Sequence, residues 1–237
     1  RGNIHLTKVD SEYPDNKLTG ATFEVYKDSN ATGNLDDGDE LLGTLTEKEI
    51  GEYSMNDLFY GRYFVKETKA PEGFVLDTGV YEVMIDTNGK TYKVENKAGV
   101  GFVNDAMRGN LKIIKTSSDG KVKGFAFRIT GANGYDIILE TNDKGEIFID
   151  GLRIGDYTIS EVSNSASSMY VIPADKKATV KIGSTTIVEM HNVLRDTPKT
   201  GDTTNLPLLY ALAGLSAVGI AVCGVIGFKK KKKEDRN

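Results

Sequence analysis

A lysine, a glutamate and an asparagine that continue apolar strand faces occur twice in this 237-residue chain, and that repetition restricts the fold more than any other feature. Side chains alternate sides along a β-strand, so residues two apart share a face. Ile4, Leu6 and Lys8 are in phase, as are Tyr63, Val65 and Glu67, and then Phe102 and Asn104. The second half repeats the pattern with Leu111, Ile113 and Lys115, then Tyr157, Ile159 and Glu161, then Val188, Met190 and Asn192. An amine, an acid and an amide placed where hydrophobes belong predict a buried polar triad in each half.

The halves align around these residues. Gly2-Asn3-Ile4-His5-Leu6-Thr7-Lys8 pairs with Gly109-Asn110-Leu111-Lys112-Ile113-Ile114-Lys115, and Leu58, Gly61, Tyr63, Val65 and Glu67 pair with Leu152, Gly155, Tyr157, Ile159 and Glu161. A repeat of this length means two copies of one module, over 1–107 and 108–195. Short β-branched and aromatic runs separated by turn pairs such as Asn88-Gly89 and Asp119-Gly120 predict an all-β, sandwich-like fold. Strands are expected over 2–9, 22–27, 41–46, 61–67, 80–85, 90–95 and 100–105, then 109–116, 125–130, 136–140, 146–149, 155–162, 177–182 and 184–193. The connection Asp105–Arg108 is too short for free rotation, so two modules end to end with restricted bending are expected.

The C-terminal end carries a different signal. After a polar linker over 196–205, Leu206 to Phe228 is free of charge. As a helix it would measure about 34 Å, enough to span a membrane. Lys229–Lys233 follow in the cytoplasmic tail 229–237, which by the positive-inside rule leaves residues 1–205 outside. Arg1 reads as an internal position of a longer protein. The sole cysteine, Cys223, lies in the apolar run, so the outer region cannot close an internal disulfide. Without the basic tail the region is more acidic than the whole chain's net −4, which argues against nucleic acid as partner.

Ahead of the apolar run stands Thr197-Pro198-Lys199-Thr200-Gly201. It resembles the Leu-Pro-any-Thr-Gly sorting signal of Gram-positive cell-wall-anchored surface proteins, with Thr197 in place of the usual Leu. The resemblance implies that a sortase cuts Thr200–Gly201 and joins the Thr200 carboxyl to peptidoglycan or to a pilin subunit. The span is then a temporary holding device, and the mature location is the extracellular cell wall.

Burial lowers a lysine's pKa and raises a carboxyl's. A neutral lysine against an asparagine carboxamide, with a protonated acid to move protons, can form an amide and release ammonia. Both modules resemble the B-type repeat of collagen-adhesin and pilin proteins, a transthyretin-like (prealbumin) sandwich in which a first-strand Lys joins a last-strand Asn. Glu67-Thr68-Lys69-Ala70-Pro71-Glu72-Gly73-Phe74 matches that family's Glu-Thr-x-Ala-Pro-x-Gly-Tyr stretch with Phe74 in place of Tyr, whereas Glu161 leads into Val162-Ser163-Asn164 and lacks it. The resemblance implies crosslinks Lys8–Asn104 with Glu67 and Lys115–Asn192 with Glu161. The alternative is an ordinary buried ion pair with the amide hydrogen-bonded nearby. Asp105 is a rival acceptor out of strand phase.

The stretch Asp28–Asp39 resembles an EF-hand loop, with Asp28, Asn30, Asp36 and Asp39 as candidate calcium ligands. It departs from the pattern with Thr32 at the fifth position and Asp39 at the twelfth, and a solvated acidic insertion is the competing reading. The triad chemistry needs no cofactor. His5 and His191 fall out of phase with the apolar faces, and no constellation for turnover catalysis stands out. The functional expectation is a crosslinked stalk that holds an upstream region, with its host extracellular-matrix partner, away from the cell. A directly ligand-binding module and a minor or basal pilin are the alternatives.

Overall fold

A computed structural model describes residues 1–196, and within it Arg1–Leu194 form one compact unit. The expected apolar span and the sorting motif Thr197–Gly201 lie outside the described residues. The first module comprises β1 (Gly2–Asp10), β2 (Thr22–Lys27), β3 (Glu40–Thr44), β4 (Thr46–Glu49), β5 (Glu52–Leu58), β6 (Gly61–Lys69), β7 (Val80–Ile85), β8 (Thr91–Lys93) and β9 (Phe102–Asn104). The second comprises β10 (Arg108–Ser117), β11 (Ala126–Thr130), β12 (Asp136–Glu140), β13 (Glu146–Arg153), β14 (Gly155–Val162), β15 (Tyr170–Val171), β16 (Lys176–Val180) and β17 (Thr185–Leu194), with a 3-10 turn at Ala132–Gly134.

Each module is a two-sheet sandwich. In the first, the order β4-β5-β1-β8, with β9 also on β1, faces β3-β2-β6-β7; in the second, β13-β10-β17-β15 faces β12-β11-β14-β16. The terminal strands pair in parallel. β1 takes β8 along its first half and β9 along its second, whereas β10 takes the single long β17 along its whole length. The equivalent glycines Gly2 and Gly109 stand at the start of the first strands, where a Cβ would strike the Ile85 side chain or the Lys181 carbonyl.

Two separate cores follow. Ile4, Leu6 and Phe102 of one sheet pack on Phe23, Val25, Tyr63, Val65, Val83 and Ile85 of the other; Leu111, Ile113, Val188 and Met190 pack on Phe127, Ile129, Tyr157, Ile159 and Val180. Every apolar residue assigned above to a triad-bearing strand face is buried. Three strands were not expected. β4 is wholly polar, β15 has two residues, and β5 loses its alternation because its pairing with β1 shifts between Gly2 and Ile4 and Asp57 sits at φ 59°.

Candidate functional site

The sandwich brings each triad together from both sheets. Lys8 on β1 and Asn104 on β9 lie in one sheet, and Glu67 on β6 faces them from the other. The ladder pairs Lys8 with Phe102 and Asp10 with Asn104, so lysine and asparagine are two positions apart on one face. All three are buried. Lys8 Nζ donates to Asn104 Oδ1 at 2.6 Å and to the Phe102 carbonyl at 3.0 Å. Asn104 Nδ2 donates to Glu67 Oε2 at 2.8 Å, which also accepts from the Asp77 N–H at 2.8 Å. Glu67 Oε1 has no hydrogen-bond partner and lies 4.0 Å from Lys8 Nζ.

Electrostatics follow from burial. Desolvation lowers Lys8 to about 8, against the attraction of Glu67, Asp77 and Asp10. Desolvation likewise raises Glu67, outweighing the Asp77 N–H, Asn104 and Lys8, which favour its anion. Both shifts move the pair toward neutral amine and neutral acid. The rival Asp105 is exposed in the connection after β9.

The second triad has the same scaffold and a different closure. Lys115 stands opposite Met190 and Ser117 opposite Asn192, which reproduces the two-residue offset. Asn192 Nδ2 donates to Glu161 Oε1 at 2.6 Å. Lys115 Nζ, however, donates to the Thr116 carbonyl and sits 4.1 Å from the Phe125 ring centroid. Asn192 Oδ1 and Glu161 Oε2 are buried without partners. Desolvation lowers Lys115 and raises Glu161.

Residues not singled out from the sequence surround the first triad. Asp77 accepts from the Gly79 N–H at 2.6 Å, Asn96 Nδ2 at 2.6 Å and the Tyr81 hydroxyl at 2.9 Å. Asn96 in turn bonds both the N–H and the carbonyl of Val103, next to Asn104. Only Asp77's closeness to the family-like stretch after Glu67 could have flagged this network.

On the loop after β2, the oxygens of the calcium candidates are taken up locally. Asp28 accepts from the Thr32 and Gly33 N–H groups and from Arg62, Asn30 from the Thr32 N–H, and Asp39 from the Ser29 and Asp36 N–H groups. Asp36 accepts from Gly38 N–H, Thr32 Oγ1 and Asn30 Nδ2, which hold its carboxyl below the usual range. Among the described residues no group of three or more His, Cys, Asp or Glu is arranged to hold a metal. His5 pairs with Glu52 at 2.9 Å, and His191 meets Thr116 Oγ1 at 2.8 Å.

Comparison with known proteins agrees with this architecture. A curated relative, the trypsin-resistant surface T6 protein of Streptococcus pyogenes, is 27% identical over 176 residues, 73% of this chain and 29% of its own length. The chain thus spans under a third of that relative. The solved structure of the Bacillus anthracis TIE protein superposes with a TM-score of 0.61 at 25% identity, over 81% of this chain and 34% of that one. The minor pilin GBS52 of Streptococcus agalactiae is 18% identical, with a TM-score of 0.40 over 85% of this chain and all of that one. The SpaA prealbumin-like fold domain model matches residues 2–98 and 109–194, and the chain belongs to that family with two tandem copies of the domain.

Proposed function

We propose that the chain is a load-bearing stalk segment of a Gram-positive surface or pilus protein, stiffened by Lys8–Asn104 and Lys115–Asn192 isopeptide bonds. The observation that carries this reading is the buried contact of Lys8 Nζ with Asn104 Oδ1 at 2.6 Å, backed by Glu67 on the amide nitrogen. The reaction needs a neutral amine. Proton transfer from Lys8 to Glu67 supplies it, and burial of both groups favours that transfer.

The Lys8 lone pair then attacks Asn104 Cγ, forming the N–C bond as the carbonyl pair moves onto Oδ1. Glu67 gives its proton to Nδ2 and takes one from the new nitrogen. The Cγ–Nδ2 bond breaks as the carbonyl re-forms, and Nδ2 departs as ammonia. The dry core keeps water from competing for the intermediate. A cleft of about 340 Å³, lined by Asp77, Asn96, Val103 and Asn104 among others, gives ammonia a way out. Glu161 has the corresponding role toward Lys115 and Asn192.

The placement suits tension. β1 and β9 are parallel neighbours, so a pull on the chain ends loads their ladder in shear. A covalent link from Lys8 to Asn104 carries that force past the rest of the sandwich. It also closes a loop of about 100 residues, contributing roughly 4–5 kcal/mol on a chain-entropy model, without sensitivity to reductant. The role is structural, with each bond formed once.

Anchoring through Thr197–Gly201, by sortase cleavage at Thr200–Gly201 and transfer to peptidoglycan or a pilin subunit, completes the reading and places the segment at the cell wall. The surface-protein name of the T6 relative supports such a location. A calcium ion at Asp28–Asp39 would have to displace the loop's N–H donors and Arg62; calcium-dependent thermal stabilisation tests it. Intact mass of a denatured 1–196 fragment tests the crosslinks. The expected deficit is two ammonia molecules, with Glu67→Ala and Glu161→Ala each restoring one; a full-mass wild type refutes the reading.

A further inference from the structure

Asp10 ends β1 as a carboxylate that is only 1% exposed, and its ladder partner is Asn104, the amide of the first triad. The Ser11 N–H also bonds the Asn104 carbonyl at 3.1 Å, fastening the two strand ends together. Within the first module Asp10 Oδ1 receives the Glu12 and Tyr13 N–H groups. Its cation comes from the second module. Arg153, at the end of β13, gives NH1 to Asp10 Oδ2 at 2.6 Å and NH2 to Oδ1 at 2.8 Å, a bidentate pair with side chains 14% and 2% exposed.

The same guanidinium bonds Glu12 and lies 4.9 Å from the Tyr13 ring centroid and 5.9 Å from that of Phe74. Arg108 reaches Glu12 as well. The Met107 N–H on Gly73 O and the Ile154 N–H on Met107 O knit the corner between the modules. A planar bidentate clamp of this kind fixes both position and charge.

We propose that Arg153 is a positioning residue for the Lys8–Asn104 condensation, so that the first module's bond is completed at full rate only when the second module is docked. This rests on the crosslink reading above. Asp10 sits two residues from Lys8 and attracts its ammonium; Arg153 pairs with that carboxylate and keeps Asp10 and its partner Asn104 in register. The charged groups acting on Lys8 are Glu67 from β6, Asp77 from the β6–β7 loop and Asp10 from its own strand. Those facing Asp10 are Arg153, with Glu12 and Arg108 beside it.

The test follows ammonia loss by intact mass after cell-free synthesis of the full chain, in a Glu161→Ala background so that only the first bond reports. Arg153→Gln is expected to slow the loss about tenfold at neutral pH and to move the midpoint of the pH–rate profile up by about one unit, the equivalence of a pKa unit and a tenfold change in amine. Removing the orphaned carboxylate with Asp10→Asn in the Arg153→Gln chain is expected to restore the rate. Arg153→Gln reacting as fast as its parent, or a double variant that stays slow, overturns the role of Arg153. A parent chain that loses no ammonia refutes the crosslink itself, so the two failures are distinguishable.

Discussion

The two modules carry one triad on one scaffold, yet only the first aims its lysine at its asparagine. In both, the asparagine stands two ladder positions beyond the residue opposite the lysine. The difference lies in the last strand. In the first module it is broken into β8 and β9, and the break frees Asn96 to clip Val103 and to hold Asp77, whose N–H supports Glu67. In the second, β17 runs unbroken, and Lys115 rests against Phe125 while Asn192 Oδ1 and Glu161 Oε2 go unpaired. Each unpaired buried polar atom costs about 1–3 kcal/mol. Backbone register brings the three groups together; side-chain scaffolding around them sets where each lysine points.

The largest test of this contrast removes the lysines. Lys8→Met, close in shape and apolar, is expected to lower first-module stability by about 4–5 kcal/mol through loss of loop closure, read by thermal or denaturant unfolding. Lys115→Met, acting on the shorter loop to Asn192, is expected to cost the second module slightly less. A loss confined to the second module would invert the comparison.

Next in size is a pH effect. Glu67→Gln is expected to block the proposed bond and leave Lys8 buried, its folded-state pKa lowered to about 8 against 10.5 unfolded. Between those values the unfolded chain holds a proton the folded chain has lost, so stability rises with pH across the window and is lost again as pH falls toward 8. The expected gain by pH 10.5 is about 3 kcal/mol, because one unit is worth about 1.4. Flat stability over that range would mean that Lys8 keeps its proton in the core. Asn96→Ala should cost the first module about 1–3 kcal/mol and slow its bond, leaving the second untouched. Smallest is Phe125→Leu, which removes a cation–π contact worth about 1–2 kcal/mol and should speed the second bond by releasing Lys115.

Much of this was legible in the chain itself. Period-two alternation placed Lys8, Glu67, Asn104, Lys115, Glu161 and Asn192 on buried faces, because a sheet with one dry side leaves no other register for Ile4, Val65 or Met190. Several strands, including 22–27, 80–85, 136–140 and 155–162, coincide with those expected. β5 escaped because a register shift breaks its alternation, and β4 because no apolar residue marks it. The Asp77–Asn96–Tyr81 network, the seat of Lys115 on Phe125 and the Arg153–Asp10 clamp escaped for another reason. Each joins residues far apart in sequence whose meeting depends on how finished sheets pack, and none leaves a periodic trace.

The most direct measurement is a time course of peptide mapping on the 1–196 fragment, following the branched Lys8–Asn104 and Lys115–Asn192 peptides from synthesis onward. The account predicts both branches, with the Lys8–Asn104 branch complete first. Linear peptides alone at every time, or a Lys115–Asn192 branch that leads, would contradict it.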